Sequence, residues 1–333
     1  MSFIKSRIAS IVFISLVSLG AAYAALHTFS HSSVHDPARE LYGDLNDAFA
    51  TQWKARTGVD VSIRLAQSTS GKPVRVILDG LNVTTLALSY DVDALHEKGQ
   101  FIPNSWKPLP QNLPYISPYT STIVFLVRKG NPKELNDWND LLRPGIEVIT
   151  PDPKISESGR WNYLAAWGYA LRQPGSSEAT ALEFVRKLFA NVRSPATVDF
   201  VERDLGDVLL VWENEAHLLI QATSAGGMDN FEIITPSVSI VAEPTVSVVD
   251  ALTDRNSTRE VAAAYIDYLY TPQAQDIAGK HFYRPRDAQA GAKYANQFPA
   301  LELFTIDDVF GGWRQAEKIH FAKGGIFEQI QSD

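Results

Sequence analysis

Ser156 and Ser158 lie in the stretch Thr150 to Leu171, TPDPKISESGRWNYLAAWGYAL, where a strand end, a turn and a helix start follow one another. Pro151 and Pro153 set the turn, and the serines stand where N-caps are expected. Trp161, Leu164, Ala165, Trp167, Gly168 and Leu171 recur near a 3.6-residue period, which predicts an amphipathic helix with one apolar face. A helix mouth rimmed by hydroxyls gathers free N–H groups and the positive end of a macrodipole, chemistry that suits an oxyanion. An ordinary capped helix meets the same description, so the company this segment keeps decides between the two.

Other residues able to do chemistry are few. Ser70-Gly71-Lys72 begins like a phosphate loop, but the upstream glycine is absent and Pro73 follows the lysine, which excludes a nucleotide loop. Ser70 is instead either a plain N-cap or an anion ligand at a helix start. Trp212 ends an apolar run and carries an indole N–H that needs an acceptor, whether in the core or at a ligand. His27, His31 and His35 recur every fourth residue, as two helical turns of metal ligands would. No Ser/His/Asp arrangement with recognisable spacing and no convincing metal cluster is present, which argues against an exported hydrolase of sulfate or phosphate esters. The chain has no cysteine, hence no thiol nucleophile and no disulfide. No enzyme activity, cofactor or metal is expected.

The elements that must position these residues follow from the hydrophobic pattern. Residues 1–24 are expected to be an export signal: Lys5 and Arg7, an apolar run from Ile8 to Leu19, then Ala22-Tyr23-Ala24 before the cut. Losing Lys5 and Arg7 takes the formal charge from −8 to −10, and no Lys/Arg cluster stands out, which argues against nucleic acid. Residues 25–333 exceed what one core usually holds, so two lobes are expected. Short β-rich runs alternate with amphipathic helices, an α/β pattern. Asp36-Pro37 opens a helix whose stripe is Leu41, Leu45, Ala48, Phe49 and Trp53, closed by Gly58. Strands are expected at 59–65, 86–90, 122–128, 147–150, 207–211, 231–235 and 245–249. Helices are expected from Ser70, at 135–142, 179–189, 213–222, 258–270 and 272–280, and as one long piece from Ile306 to His320.

The chain resembles the periplasmic sulfate/thiosulfate-binding proteins of ABC importers from about Asp36 to its C-terminus. The resemblance is carried by DPARELY (Asp36–Tyr42), SGK (Ser70–Lys72), TLALSYDVDAL (Thr85–Leu95) and PYTSTIVFLVRKGNPK (Pro118–Lys133). DWNDL (Asp137–Leu141), RWNYLAAWGYAL, VWENEA (Val211–Ala216), AEPTVSVVD (Ala242–Asp250), FYRPRD (Phe282–Asp287) and LFTIDDVFGGW (Leu303–Trp313) extend it. It implies a type II periplasmic binding-protein fold: two α/β lobes with a ligand cleft between them, lobe 1 at 25–120 and 244–333 and lobe 2 at 121–243. It also implies a periplasmic monomer that carries sulfate, thiosulfate or a related oxyanion to an inner-membrane ABC permease. The family holds its anion with neutral donors. By position these match the N–H of Asp36, Ser70, Ser156, the N–H groups of Glu157 and Ser158, and the Trp212 indole. The same resemblance puts His27, His31 and His35 in or before the first strand, where their spacing does not converge.

The departures from the family fall on this site. Its pattern Asn-Pro-Lys-Ser-Ser-Gly-Gly-Ala-Arg stands here as Asp152-Pro153-Lys154-Ile155-Ser156-Glu157-Ser158-Gly159-Arg160. Two glycines have become Glu157 and Ser158, which puts the turn in question because glycine alone tolerates φ > 0 without cost. An inward Glu157 carboxylate would oppose a sulfate by roughly 4 kcal/mol at about 4 Å in an intermediate dielectric. A glycine-rich donor loop of the family is largely missing where Ser194-Pro195-Ala196-Thr197 run directly into Val198 and Asp199. Ser68-Thr69 replace a Gly-Gly pair, and His35 replaces a tyrosine. The alternative to an importer's binding protein is therefore a divergent paralogue, with altered or lost oxyanion binding, that serves as a sensor or interaction protein.

Overall fold

The computed structural model describes residues 37–66, 76–79, 83–86, 117–227, 229–248 and 258–332. In chain order its first elements are α1 (Pro37–Thr57), β1 (Arg64–Ala66), β2 (Val76–Asp79), β3 (Val83–Leu86), β4 (Tyr119–Arg128), a 3-10 turn (Trp138–Leu142), β5 (Val148–Ile149), α2 (Glu157–Leu171), α3 (Glu178–Ala190) and β6 (Val192–Ser194). Next come α4 (Thr197–Val201), β7 (Val208–Trp212), α5 (Glu213–Ala225), β8 (Phe231–Ile234), β9 (Val238–Ala242), β10 (Thr245–Val248), α6 (Arg259–Leu269) and α7 (Pro272–Lys280). The last are β11 (Arg284–Pro285), α8 (Ala288–Lys293), β12 (Glu302–Phe304), α9 (Ile306–Phe310), α10 (Trp313–Ala316), a π turn (Glu317–Phe321) and α11 (Ile326–Ser332).

Two sheets organise the α/β architecture. The smaller runs β1-β2-β3-β10, with every pair antiparallel. The larger is mixed and runs β12-β9-β4-β7-β5-β6, with β8 and β11 also paired to β4. The chain passes from the larger sheet to the smaller over Glu243-Pro244, between β9 and β10.

β4 explains the larger sheet. Its apolar run is buried on both faces, as a central strand requires. Ile123, Phe125 and Val127 face a core that includes Trp138, Trp161, Leu164 and Phe304. Val124 and Leu126 face the opposite way, onto Phe200, Ala216 and Phe231. A third core joins Leu41, Leu45, Phe49 and Trp53 of α1 to Tyr265 and Leu269 of α6 and Ile277 of α7. Phe49 meets Tyr265 edge-on at 5.0 Å. The stripe expected for α1 is thus the one buried, and Gly58, at φ +74°, ends the helix with its N–H on Lys54 O at 2.8 Å.

Four expectations change. The helix expected from Ser70 does not run on into Val76–Asp79, which are strand β2, and the expected strand 86–90 lies outside the described residues beyond Leu86. The stretch 59–65 is mostly not strand: β1 starts only at Arg64, and Val59 is 58% exposed. The expected helix from Ile306 to His320 is broken by Gly311 and Gly312, whose φ of +66° and +92° no continuing helix accepts. Finally, α2 is not amphipathic. Every residue from Trp161 to Ala170 is buried, because the helix lies between β9, α3 and the C-terminal segments. Gly168 shows how close that packing is: a Cβ there would sit 2.1 Å from the Phe304 ring.

Candidate functional site

The turn before α2 is built from its own backbone. The Asp152 carboxylate accepts from Lys154 N at 2.8 Å, and Asp152 O accepts from Ile155 N and Ser156 N at 3.1 and 2.9 Å. Ser156 is the N-cap, with extended φ, ψ of −121° and 127° and its Oγ accepting from Gly159 N at 3.2 Å. Because that oxygen acts as acceptor, its O–H proton stays available for another partner. Glu157 and Ser158 occupy the first two helical positions, whose N–H groups have no intrahelical acceptor by helix geometry. Neither residue has positive φ, so the turn does not need the two glycines that the family carries there. Gly159 is the position that must stay small, since a Cβ would lie 2.4 Å from Pro151 O.

Two cations hold this turn from outside. Arg160 donates from Nε to Pro153 O at 3.0 Å and pairs with Glu317 at 2.9 Å. Lys154 pairs with Glu328 and reaches Phe321 O at 3.3 Å. The C-terminal segment therefore braces the mouth of α2.

Trp212 ends β7, opposite Ile123 of β4, and is the N-cap of α5. Its side chain is 5% exposed, and its indole Nε1 finds no acceptor among the described residues. The ring lies edge-on to Trp161 of α2 at 6.1 Å, and Trp161 lies edge-on to Trp313 at 4.6 Å. This aromatic contact ties Trp212 to the helix that Ser156 caps. An unmade buried N–H costs about 1–3 kcal/mol, so the indole is a donor awaiting a partner.

The first turn of α5 adds further polar groups. Ser121 Oγ donates to Asn214 Oδ1 at 2.7 Å, while Asn214 Nδ2 is buried without an acceptor among the described residues. Glu213, 1% exposed, is gripped by Arg284 at 2.6 and 2.7 Å. Arg286 pairs with Glu243, so both arginines flanking Pro285 are held in ion pairs.

Where the family's donor loop is missing, the chain folds onto itself. Ser194 Oγ bonds the Asp199 carboxylate, which also pairs with Arg203 at 2.7 Å. Asp36, Ser70 and the three histidines His27, His31 and His35 lie outside the described residues. Among the described residues no group of three or more His, Cys, Asp or Glu could hold a metal. Two surface grooves, of about 610 Å³ and about 200 Å³, run along α1 and include none of the site residues.

With this geometry in hand, the relatives are informative. Residues 39–284 match the model of the family described as bacterial extracellular solute-binding protein. The sulfate-binding protein of Salmonella typhimurium is 55% identical over 304 residues, which is 89% of this chain and 91% of that protein. The thiosulfate-binding protein of Pseudomonas aeruginosa is 41% identical over 333 residues, 97% of this chain and 98% of that protein. Among solved structures, the sulfate-binding protein SubI of Mycobacterium tuberculosis H37Rv superposes with a TM-score of 0.61 at 33% identity, covering 71% of this chain and 80% of its own. The two sheets, one antiparallel and one mixed, and their helices are therefore a solute-binding-protein fold, and this chain belongs to the bacterial extracellular solute-binding protein family, in the company of the sulfate- and thiosulfate-binding proteins.

Proposed function

We propose that the protein is a periplasmic binding protein that captures sulfate or thiosulfate between two lobes and delivers it to an inner-membrane ABC importer. The anion is held by aimed neutral donors: the Trp212 indole, the Ser156 hydroxyl and the first N–H groups of α2 at Glu157 and Ser158, to which the resemblance adds the Asp36 N–H and Ser70. The observation that carries this is the Trp212 Nε1 donor, buried and unsatisfied beside the helix that Ser156 caps. Each hydrogen bond to an ionised ligand contributes roughly 1.5–3 kcal/mol, so a few suffice for tight binding. Helix mouths supply the rest, because the partial positive charge at their N-termini is fixed before the ligand arrives.

In this account 25–120 with the return of the chain from 244 form one lobe and 121–243 the other, with the C-terminal segment from Glu302 packed on the second lobe. The protein works as a monomer after loss of residues 1–24, and hinge closure replaces any catalytic step. Calorimetric titration of residues 25–333 with sulfate and thiosulfate tests it: saturable one-to-one binding is expected, and no heat at millimolar anion would refute it. A second reading, a paralogue that signals through a membrane sensor, is favoured by Ile155, 86% exposed next to Ser156. Recovery of a sensor kinase instead of a permease on the immobilised protein would select it.

A further inference from the structure

Glu213 follows Trp212 directly and is the first residue of α5, so its carboxylate is buried at 1% exposure in the turn where an anion would be met. An acidic group there favours the helix dipole but also consumes it, and it repels a dianion. Arg284 answers that charge. Its Nε and Nη2 grip the two carboxylate oxygens at 2.6 and 2.7 Å, and Nη2 also donates to Pro299 O at 3.2 Å. β4 links the pair to the site: Arg284 pairs with Thr120, Ser121 bonds Asn214, and Ile123 lies opposite Trp212. Burial holds the Glu213 carboxyl above its ordinary value, and the bonds and charge of Arg284 offset only part of that rise.

We propose that Arg284 is a positioning residue for the oxyanion site, which neutralises Glu213 and so leaves the α5 mouth and the Trp212 indole free to meet a doubly charged ligand. This rests on the oxyanion binding proposed above. A fork-shaped guanidinium suits the task, since a bidentate pair fixes the turn's geometry while cancelling its charge.

A pair that served folding alone would make loss of either partner weaken binding in the same way. Charge screening requires opposite signs. Sulfate affinity is to be measured by calorimetry on the wild type, Arg284→Gln, Arg284→Lys, Glu213→Gln and the double Glu213→Gln/Arg284→Gln variant, with unfolding midpoints alongside. Arg284→Gln is expected to weaken sulfate about tenfold or more by leaving a bare carboxylate at the mouth. Arg284→Lys recovers most of that loss, and Glu213→Gln binds at least as tightly as the wild type. The double variant returns to within about threefold of wild type, the coupling expected of contacting charges. Equal weakening by Arg284→Gln and Glu213→Gln, with no recovery in the double variant, overturns the proposal. Should Arg284→Gln fail to fold, Glu213→Gln and the neutral double variant decide alone: weak binding by both overturns it. A wild type that binds no sulfate sinks the oxyanion function and this role together, whereas a binding wild type with the wrong signs sinks only this role.

Discussion

At the scale of single residues, the proposed site is a set of donors waiting on one side of an equilibrium. Trp212 Nε1 is the clearest, because burial has already removed its water and no acceptor among the described residues replaces it. Trp212→Phe keeps the ring packed on Trp161 and deletes only the donor. Sulfate affinity is expected to fall roughly 10- to 100-fold, with the unfolding midpoint little changed, as calorimetry and thermal melts would read. Glu157 is the opposite case, a carboxylate placed at the mouth of α2 where the family carries glycine. Its φ is not positive, so Glu157→Gly restores no turn and acts mainly through charge. Sulfate is expected to bind more tightly in that variant, and unchanged affinity would mean that the carboxylate never faces the ligand. Ser156 and Trp212 were legible in the sequence because each stands at an element boundary, where polar groups need partners. Gly159 was not singled out, since its constraint comes from the Pro151 carbonyl packed over it, a contact that no spacing rule encodes.

At the scale of elements, α2 is the axis of the larger core, and its burial on all sides follows from what surrounds it. The period-3.6 stripe marks one apolar face but not the full burial: its Trp161 and Trp167 pack on Trp313 and His320, over 100 residues away in sequence, while β9 and α3 cover further faces. The same segment supplies His320, 3% exposed, edge-on to Trp167 at 4.8 Å and bonded through Nδ1 to the Tyr163 hydroxyl at 2.9 Å. Burial pushes this imidazole down to about 4. The folded protein thus holds His320 neutral while the unfolded chain binds a proton below about 6.5. Stability is therefore intact above that pH and falls as the pH drops toward 4, by up to roughly 3 kcal/mol for a shift of this size. Denaturant unfolding at a series of pH values from 7 to 4 is expected to show this slope, and a His320→Phe variant is expected to show less of it. The broken helix after Ile306 was misread for a local reason: apolar periodicity runs through Gly311-Gly312, but their left-handed backbone does not.

At the scale of the whole molecule, the protein must attract an anion while carrying a formal charge of −8, or −10 without residues 1–24. Long-range steering works against it, so affinity has to come from short-range donors fixed by the fold. The α/β class and the central strand β4 were readable from alternation and from one long apolar run, because a strand buried on both faces needs nothing else. The bracing of the α2 mouth by Lys154–Glu328 and Arg160–Glu317 was not readable, since it depends on how the chain's end returns to its middle. The most direct test is a crystal structure of residues 25–333 grown with sulfate. A tetrahedral ion within about 3 Å of both Trp212 Nε1 and Ser156 Oγ is expected. Density for sulfate elsewhere, with the Trp212 indole bonded to a protein carbonyl instead, would contradict this account.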